Sequence, residues 1–150
     1  MLQINDIDLL DELYQSEDSI VFKGYEKSSS QNVIVKILKE DFPAINLVAQ
    51  FNGEYDITNK HDLQNVRKVI SKRKVQNKHV LVLEYIDGVT IQDYIKGKNI
   101  DIVTFLKLAI RFAEVLAEIH QAGIIHKDIN PKNVMDSIRM CRLLVLGYSF

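Results

Sequence analysis

The chain has 150 residues, of which 47% are hydrophobic and 26% charged. That is enough apolar material for one ordinary domain with a buried core, and it argues against a disordered tail or a fibrous repeat. A net charge of −1 gives no electrostatic basis for holding nucleic acid or an anionic membrane, and the single cysteine, Cys141, excludes an internal disulfide framework or a Cys-based zinc site.

Residues 9–14, 20–25 and 33–38 are rich in β-branched and aromatic side chains and read as three strands. The polar run Ser28-Ser29-Ser30-Gln31-Asn32 joins the second to the third as an antiparallel pair. The third alternates: Val33, Val35 and Ile37 share one face, and Ile34, Lys36 and Leu38 the other. An ammonium centred in such a strand sits on a half-buried surface and requires a partner. Residues 44–60 turn helical, with Ile45, Val48, Ala49 and Asn52 on one side and Pro43 near the start. Gly53 inside this helix costs about 1 kcal/mol relative to Ala, so tertiary contacts must support it. Residues 66–75 and 79–85 read as two further strands around the hairpin signal Gln76-Asn77-Lys78, and Asp87-Gly88 as a turn out of the sheet.

After Gly88 helices replace strands: a short one over 91–95, then a long one over 101–120. In the long helix Phe105, Leu108, Ala109, Phe112, Val115, Leu116 and Ile119 recur at three- and four-residue steps, making a broad apolar stripe. Five strands with one inserted helix, followed by helices, predict a two-part α+β arrangement divided near Asp87. The N-terminus lacks the basic start and apolar run of a signal peptide. No window approaches 18 apolar residues, so no membrane-spanning helix is expected. A cytoplasmic location fits the lone cysteine.

The stretch His126-Lys127-Asp128-Ile129-Asn130-Pro131-Lys132-Asn133 sets a carboxylate and a carboxamide five positions apart around a proline-braced turn. Phosphoryl transfer uses such a pair, one to orient an attacking hydroxyl and the other as an uncharged oxygen ligand for Mg²⁺. The stretch resembles the H-R-D-x-x-x-x-N catalytic loop of the protein-kinase superfamily, with Lys127 in the Arg place, and the resemblance extends over nearly the whole chain. Val33-Ile34-Val35-Lys36 resembles the V-A-I-K strand and Leu83-Glu84-Tyr85-Ile86 the hinge. The resemblance implies a protein-kinase-like fold: a five-stranded antiparallel small lobe with one long helix over residues 1–87, then a truncated, mainly helical large lobe over 88–150.

It also implies roles. Lys36 would contact the α- and β-phosphates of ATP, Glu54 would hold Lys36, Asp128 would be the catalytic base and Asn133 a Mg²⁺ ligand. Backbone groups of Leu83, Glu84 and Ile86 would meet the adenine edge, with Val21 and Ile34 beside the nucleotide. In the family His126 is architectural, and His61, His79 and His120 show no metal-ligand spacing. The glycine-rich loop G-x-G-x-x-G-x-V aligns so that Tyr14, Ser16 and Ser19 stand at its glycines; the serines would offer amides and hydroxyls to phosphate, with less backbone freedom. Bacterial serine/threonine kinase domains, including those fused to GAF and sensor histidine kinase modules, are similar here and also read H-K-D-I-N-P. Asn130 stands where most protein kinases carry a phosphate-contacting lysine. Beyond Asn133 the family runs through a hairpin into D-F-G; Val145 falls at that Asp and cannot ligate Mg²⁺.

The expected activity is transfer of the γ-phosphoryl of Mg-ATP to Ser or Thr hydroxyls of proteins. Two other readings follow from the same residues: a pseudokinase or remnant that binds nucleotide or a partner without turnover, favoured by Val145, and a small-molecule phosphotransferase of the aminoglycoside-kinase type. Phe150 falls where an activation loop would begin. Taken as a complete polypeptide, the chain would leave its helix stripe bare, giving self-association or complementation by a separate chain carrying the rest of the large lobe.

Overall fold

The computed structural model describes residues 3–137 and 140–144. Its first sheet holds β1 (Ile7–Gln15), β2 (Ser19–Glu26), β3 (Gln31–Leu38), β4 (Val69–Val75) and β5 (Lys78–Glu84), with α1 (Ile45–Lys60) inserted between β3 and β4. The strand order is β1-β2-β3-β5-β4, with every neighbouring pair antiparallel. All five predicted strands form. The β4–β5 turn is made by Gln76 and Asn77 alone, at φ 48° and 68°. Two successive left-handed residues are what a two-residue hairpin needs to match strand twist.

The alternation read from β3 holds, and both faces are buried. Val33, Val35 and Ile37 pack with Ile4, Ile7, Val80 and Val82. Ile34 and Leu38 pack on the opposite face with Phe51, Val69, Leu81 and Leu83. The face of α1 differs from the expected one: Ile45 is 89% exposed and Ala49 is exposed, whereas Phe51 and Glu54 are buried. The reason lies in β3, because Glu54 and Phe51 both turn toward Lys36.

The remaining elements are β6 (Val89–Thr90), α2 (Ile91–Ile95), α3 (Ile102–Gln121), β7 (Val134–Ser137) and β8 (Met140–Leu143). β6, β7 and β8 make a three-stranded antiparallel sheet. The β7–β8 hairpin corresponds to the one the family resemblance implies after Asn133, while the two-residue β6 had no periodicity from which it could be read. Asp101 caps α3, its Oδ1 accepting from Thr104 N at 2.8 Å and its Oδ2 from Thr104 Oγ1 at 2.9 Å. At the other end Gly123 adopts φ 75°, donating to His120 O while Ile124 N donates to Ile119 O. This is a glycine-terminated helix stop that turns the chain directly into the His126 loop.

Only the C-terminal part of the α3 stripe is covered. Val115 and Ile119 are buried, and Phe112 and Leu116 half-buried, against Leu63, Val66, Ile124, Val134, Cys141 and Leu143. Phe105 is 57% exposed, and Ile102, Leu106 and Ile110 also face solvent. Cys141 is a small buried member of this core.

A short seam joins the two sheets. Val66 forms a parallel bridge with Leu143, Leu143 N donates to Asn65 O and Arg67 N donates to Leu143 O. From α3 the Glu118 carboxylate accepts from Gln64 N at 2.5 Å and Asn65 N at 3.0 Å. The segment leading into β4 is thereby held on both sides.

The hydrogen bonds from Thr104 hold the Asp101 carboxyl below its ordinary range. A folded pKa below the unfolded one contributes stability above the unfolded value, which is lost as pH falls through the folded value. Asp101→Ala should therefore lower the thermal midpoint at pH 7 and have a shrinking effect below the usual aspartate pKa, while Asp101→Asn, which can still cap, should show less pH dependence on the acid limb. Thermal scans between pH 2 and 7 would check this.

Candidate active site

Lys36 lies between Ile34 and Leu38 on the α1-facing side of β3, paired in register with Val21 and Leu81. Its side chain is 15% exposed, and its Nζ donates to Glu54 Oε2 at 2.6 Å, where the glutamate is only 1% exposed. The ammonium also stands 5.6 Å from the Phe51 ring centroid, a favourable placement over a π-face. Among the described residues Glu54 Oε1 has no hydrogen-bond partner, and neither has the buried Nε of Arg67. Burial lowers the Arg67 pKa, while Glu54 and Glu84 pull it the other way. A second cation thus stands within the electrostatic reach of the buried carboxylate.

A cavity of about 330 Å³ opens beside this pair. Ser16, Asp18 and Ser19 line it from the β1–β2 turn, Val21, Ile34 and Lys36 from the sheet, Phe51 from α1, and Arg67 from the β4 approach. The turn contains no positive φ, so nothing in its backbone requires glycine. Ser16 N donates to Ser19 O at 2.8 Å, Ser19 N donates to Ser16 Oγ at 3.0 Å, and Ser16 Oγ donates to Ser19 O at 3.2 Å. In this structure the serine amides are used to close the turn.

The loop after α3 forms a second cluster. Lys127 takes φ 61°, a left-handed conformation that is uncommon for a side chain of this size. It turns the chain so that Asp128 N donates to His126 Nδ1 at 3.3 Å, which assigns the proton to Nε2, 2.8 Å from Leu144 O. His126 is buried and tied at both ring nitrogens; its role is architectural. The Asp128 carboxylate is held by two carboxamides, with Asn130 Nδ2 donating to Oδ1 at 2.9 Å and Asn133 Nδ2 donating to Oδ2 at 2.8 Å. Asn133 Nδ2 also reaches the Asp128 carbonyl, and Asn130 Oδ1 accepts from Lys132 N. A carboxylate fixed in this way presents a set direction to any approaching hydroxyl.

Residues 10–147 match the family model described as protein kinase domain. The chain belongs to that family. It is 30% identical over 119 residues to a probable serine/threonine-protein kinase of Clostridium perfringens, covering 78% of this chain and 17% of that protein. It is 25% identical over 125 residues to serine/threonine-protein kinase PrkC of Bacillus subtilis, covering 82% of this chain and 18% of that protein. A crystal structure of the Mycobacterium tuberculosis PknI kinase domain superposes with a TM-score of 0.77 at 17% identity, over 97% of this chain and 61% of that one. The chain therefore spans less than a fifth of the length of these curated relatives.

Within this kinase fold, Ser16, Ser19, Val21, Ile34 and Lys36 share the cavity wall, and Glu54 joins them through its bond to Lys36. Leu83 packs with Ile34 in one apolar cluster. Glu84 ends β5, its carboxylate accepting from Arg142 Nη1 at 2.5 Å, and the Ile86 amide makes no backbone hydrogen bond among the described residues. Asp128, Asn130 and Asn133 lie in their own cluster and do not line the cavity. The two groups communicate through one strand end: Leu144 N donates to Asn133 O, and the adjoining Leu143 bonds Asn65 and Arg67. Val145 lies outside the described residues. Arg67, Phe51 and Asp18 were missed from the sequence. The one signal for Arg67 was a basic residue entering an apolar strand, which single-sequence reading assigns to solvent.

Among the described residues no cluster of three or more His, Cys, Asp or Glu side chains could hold a metal. Asn133 offers one carboxamide oxygen, and valine at 145 offers none. Removing Lys36 leaves Glu54 as a buried charge without its donor. Lys36→Met should lower the unfolding free energy by about 3 kcal/mol, and Lys36→Met/Glu54→Met should recover much of it, as read by chemical denaturation.

Proposed function

We propose that this chain binds Mg-ATP and transfers its γ-phosphoryl group to serine or threonine hydroxyls of proteins, as part of a bacterial-type protein kinase. The observation that carries this reading is the buried Lys36–Glu54 ion pair opening onto the cavity under the Ser16–Ser19 turn. The names of the relatives support the serine/threonine protein class over a small-molecule acceptor.

In this reading the cavity takes the phosphates. Lys36 meets the α- and β-phosphates with the donors that Glu54 leaves free, and Glu54 keeps the ammonium from swinging into solvent. The adenine edge meets the Glu84–Ile86 backbone, with Val21 and Ile34 against its faces. Asn133 is the residue that would hold Mg²⁺, which when bound offsets phosphate charge. Asp128, aimed by Asn130 and Asn133, accepts the substrate hydroxyl proton. The hydroxyl oxygen forms the new P–O bond as the bond to the β-phosphate oxygen breaks, and ADP leaves. Positioning supplies most of the catalysis in such transfers. Asn130 aims the Asp128 carboxylate where the family resemblance implies a cationic contact, so position 130 itself supplies no positive charge to the transferring group.

The test is transfer of radiolabelled γ-phosphate to a generic protein acceptor, with phosphoamino-acid analysis of the product. Asp128→Asn should reduce the rate by about 10²- to 10⁴-fold while leaving nucleotide affinity near that of the native chain. Lys36→Arg keeps a charge for Glu54 and should weaken ATP binding. Nucleotide binding without transfer would reassign the chain as a pseudokinase, and no nucleotide binding would overturn the reading altogether.

A further inference from the structure

The β1–β2 turn is held from outside as well as from within. Ser16 Oγ accepts from Ser19 N at 3.0 Å and lies 3.2 Å from Ser19 O and 3.1 Å from Ser19 Oγ, within hydrogen-bond distance of both. Both serine amides are therefore committed within the turn, and the two hydroxyls face each other there. Lys39, the residue after β3, then grips it twice. Its backbone N donates to Asp18 O at 2.9 Å, and its ammonium donates to Ser16 O at 2.5 Å. Lys39 is itself anchored, its carbonyl accepting from Lys78 Nζ, which also pairs with Asp41 at 3.0 Å. A chain of contacts thus runs from the start of β5 through the end of β3 to the turn over the cavity.

We infer that Lys39 is a positioning residue of the nucleotide site: its ammonium, seated on the Ser16 carbonyl, holds the β1–β2 turn down as a preformed roof over the cavity that Lys36 lines. The inference rests on the nucleotide-binding reading above and deepens it. A glycine-built loop reaches phosphate by conformational freedom and must lose that freedom on binding. A turn closed by two serines and pinned by a lysine has lost it beforehand, so the wall it gives the cavity stands in place before the ligand arrives. The backbone bond from Lys39 N survives any substitution of the side chain. What the ammonium adds is the hold on Ser16, the residue whose carbonyl and hydroxyl both serve the turn.

The experiment pairs two readouts on the full chain. Amide hydrogen exchange in the nucleotide-free protein follows Ser16 and Ser19 against the β4–β5 amides, and titration with a fluorescent ATP analogue gives Kd. Lys39→Met should speed exchange in the turn, leave β4–β5 exchange unchanged, and weaken binding about tenfold, the factor expected when roughly one residue must be ordered on binding. Lys39→Arg, which can still donate to the Ser16 carbonyl, should restore both. Unchanged exchange in the turn of Lys39→Met, or faster exchange with no change in Kd, overturns the inference alone. A general rise in exchange across β4–β5 shows a structural role and also overturns it. A native chain that binds no nucleotide overturns the functional reading, and this inference with it.

Discussion

An ammonium on the buried face of a central strand is the constraint around which this structure is arranged. Lys36 stands between Ile34 and Leu38, where water cannot solvate it fully, so an anion must come to it. Glu54 is that anion, and bringing it inward sets the rotation of α1. The same rotation turns Phe51 beneath the ammonium and leaves Ile45 in solvent. The space bounded by the helix, the strand and the β1–β2 turn is the cavity. The cavity is thus a consequence of how one buried charge is satisfied, and Arg67, within electrostatic reach of Glu54, shares the carboxylate's field with Lys36.

The second constraint is the seam at β8. Leu143, fully buried, bonds the segment entering β4, and Leu144 bonds both His126 and Asn133. The cavity lies against the first sheet and the Asp128 cluster in the loop that enters β7 of the second, and this short strand end is what relates them. Glu118 reinforces it by holding the Gln64 and Asn65 amides from α3. Displacing this strand end would act on both clusters at once, because their hydrogen bonds converge on adjacent residues.

The polar groups near the site follow one pattern: short side chains satisfy the backbone locally, and long cations act across elements. Ser16 and Ser19 close a turn where the family resemblance implies glycines, and Asn130 and Asn133 aim a carboxylate where it implies a nearby lysine. Each exchange trades mobility or charge for fixed geometry. Lys36, Lys39 and Arg67 supply the positive potential from separate elements.

The strands, the long helix and the His126–Asn133 loop were legible because each rests on local physics: alternation in β3, three- and four-residue recurrence in α3, and a turn built by His126 to Asn133 whose hydrogen bonds close within a few residues. The pairing of Lys36 with Glu54 was legible only through family resemblance, since eighteen positions separate them. Tertiary structure alone decided which face of α1 is buried, because a weakly amphipathic helix takes its orientation from its partner. It also decided that Arg67 enters the cavity, that Lys39 reaches back to Ser16, and that two-residue β6 pairs with β7. Sequence periodicity reports how a segment sorts its own side chains between core and solvent. Where a charge finds its counterpart depends on distances between segments, and those exist only once the chain has folded.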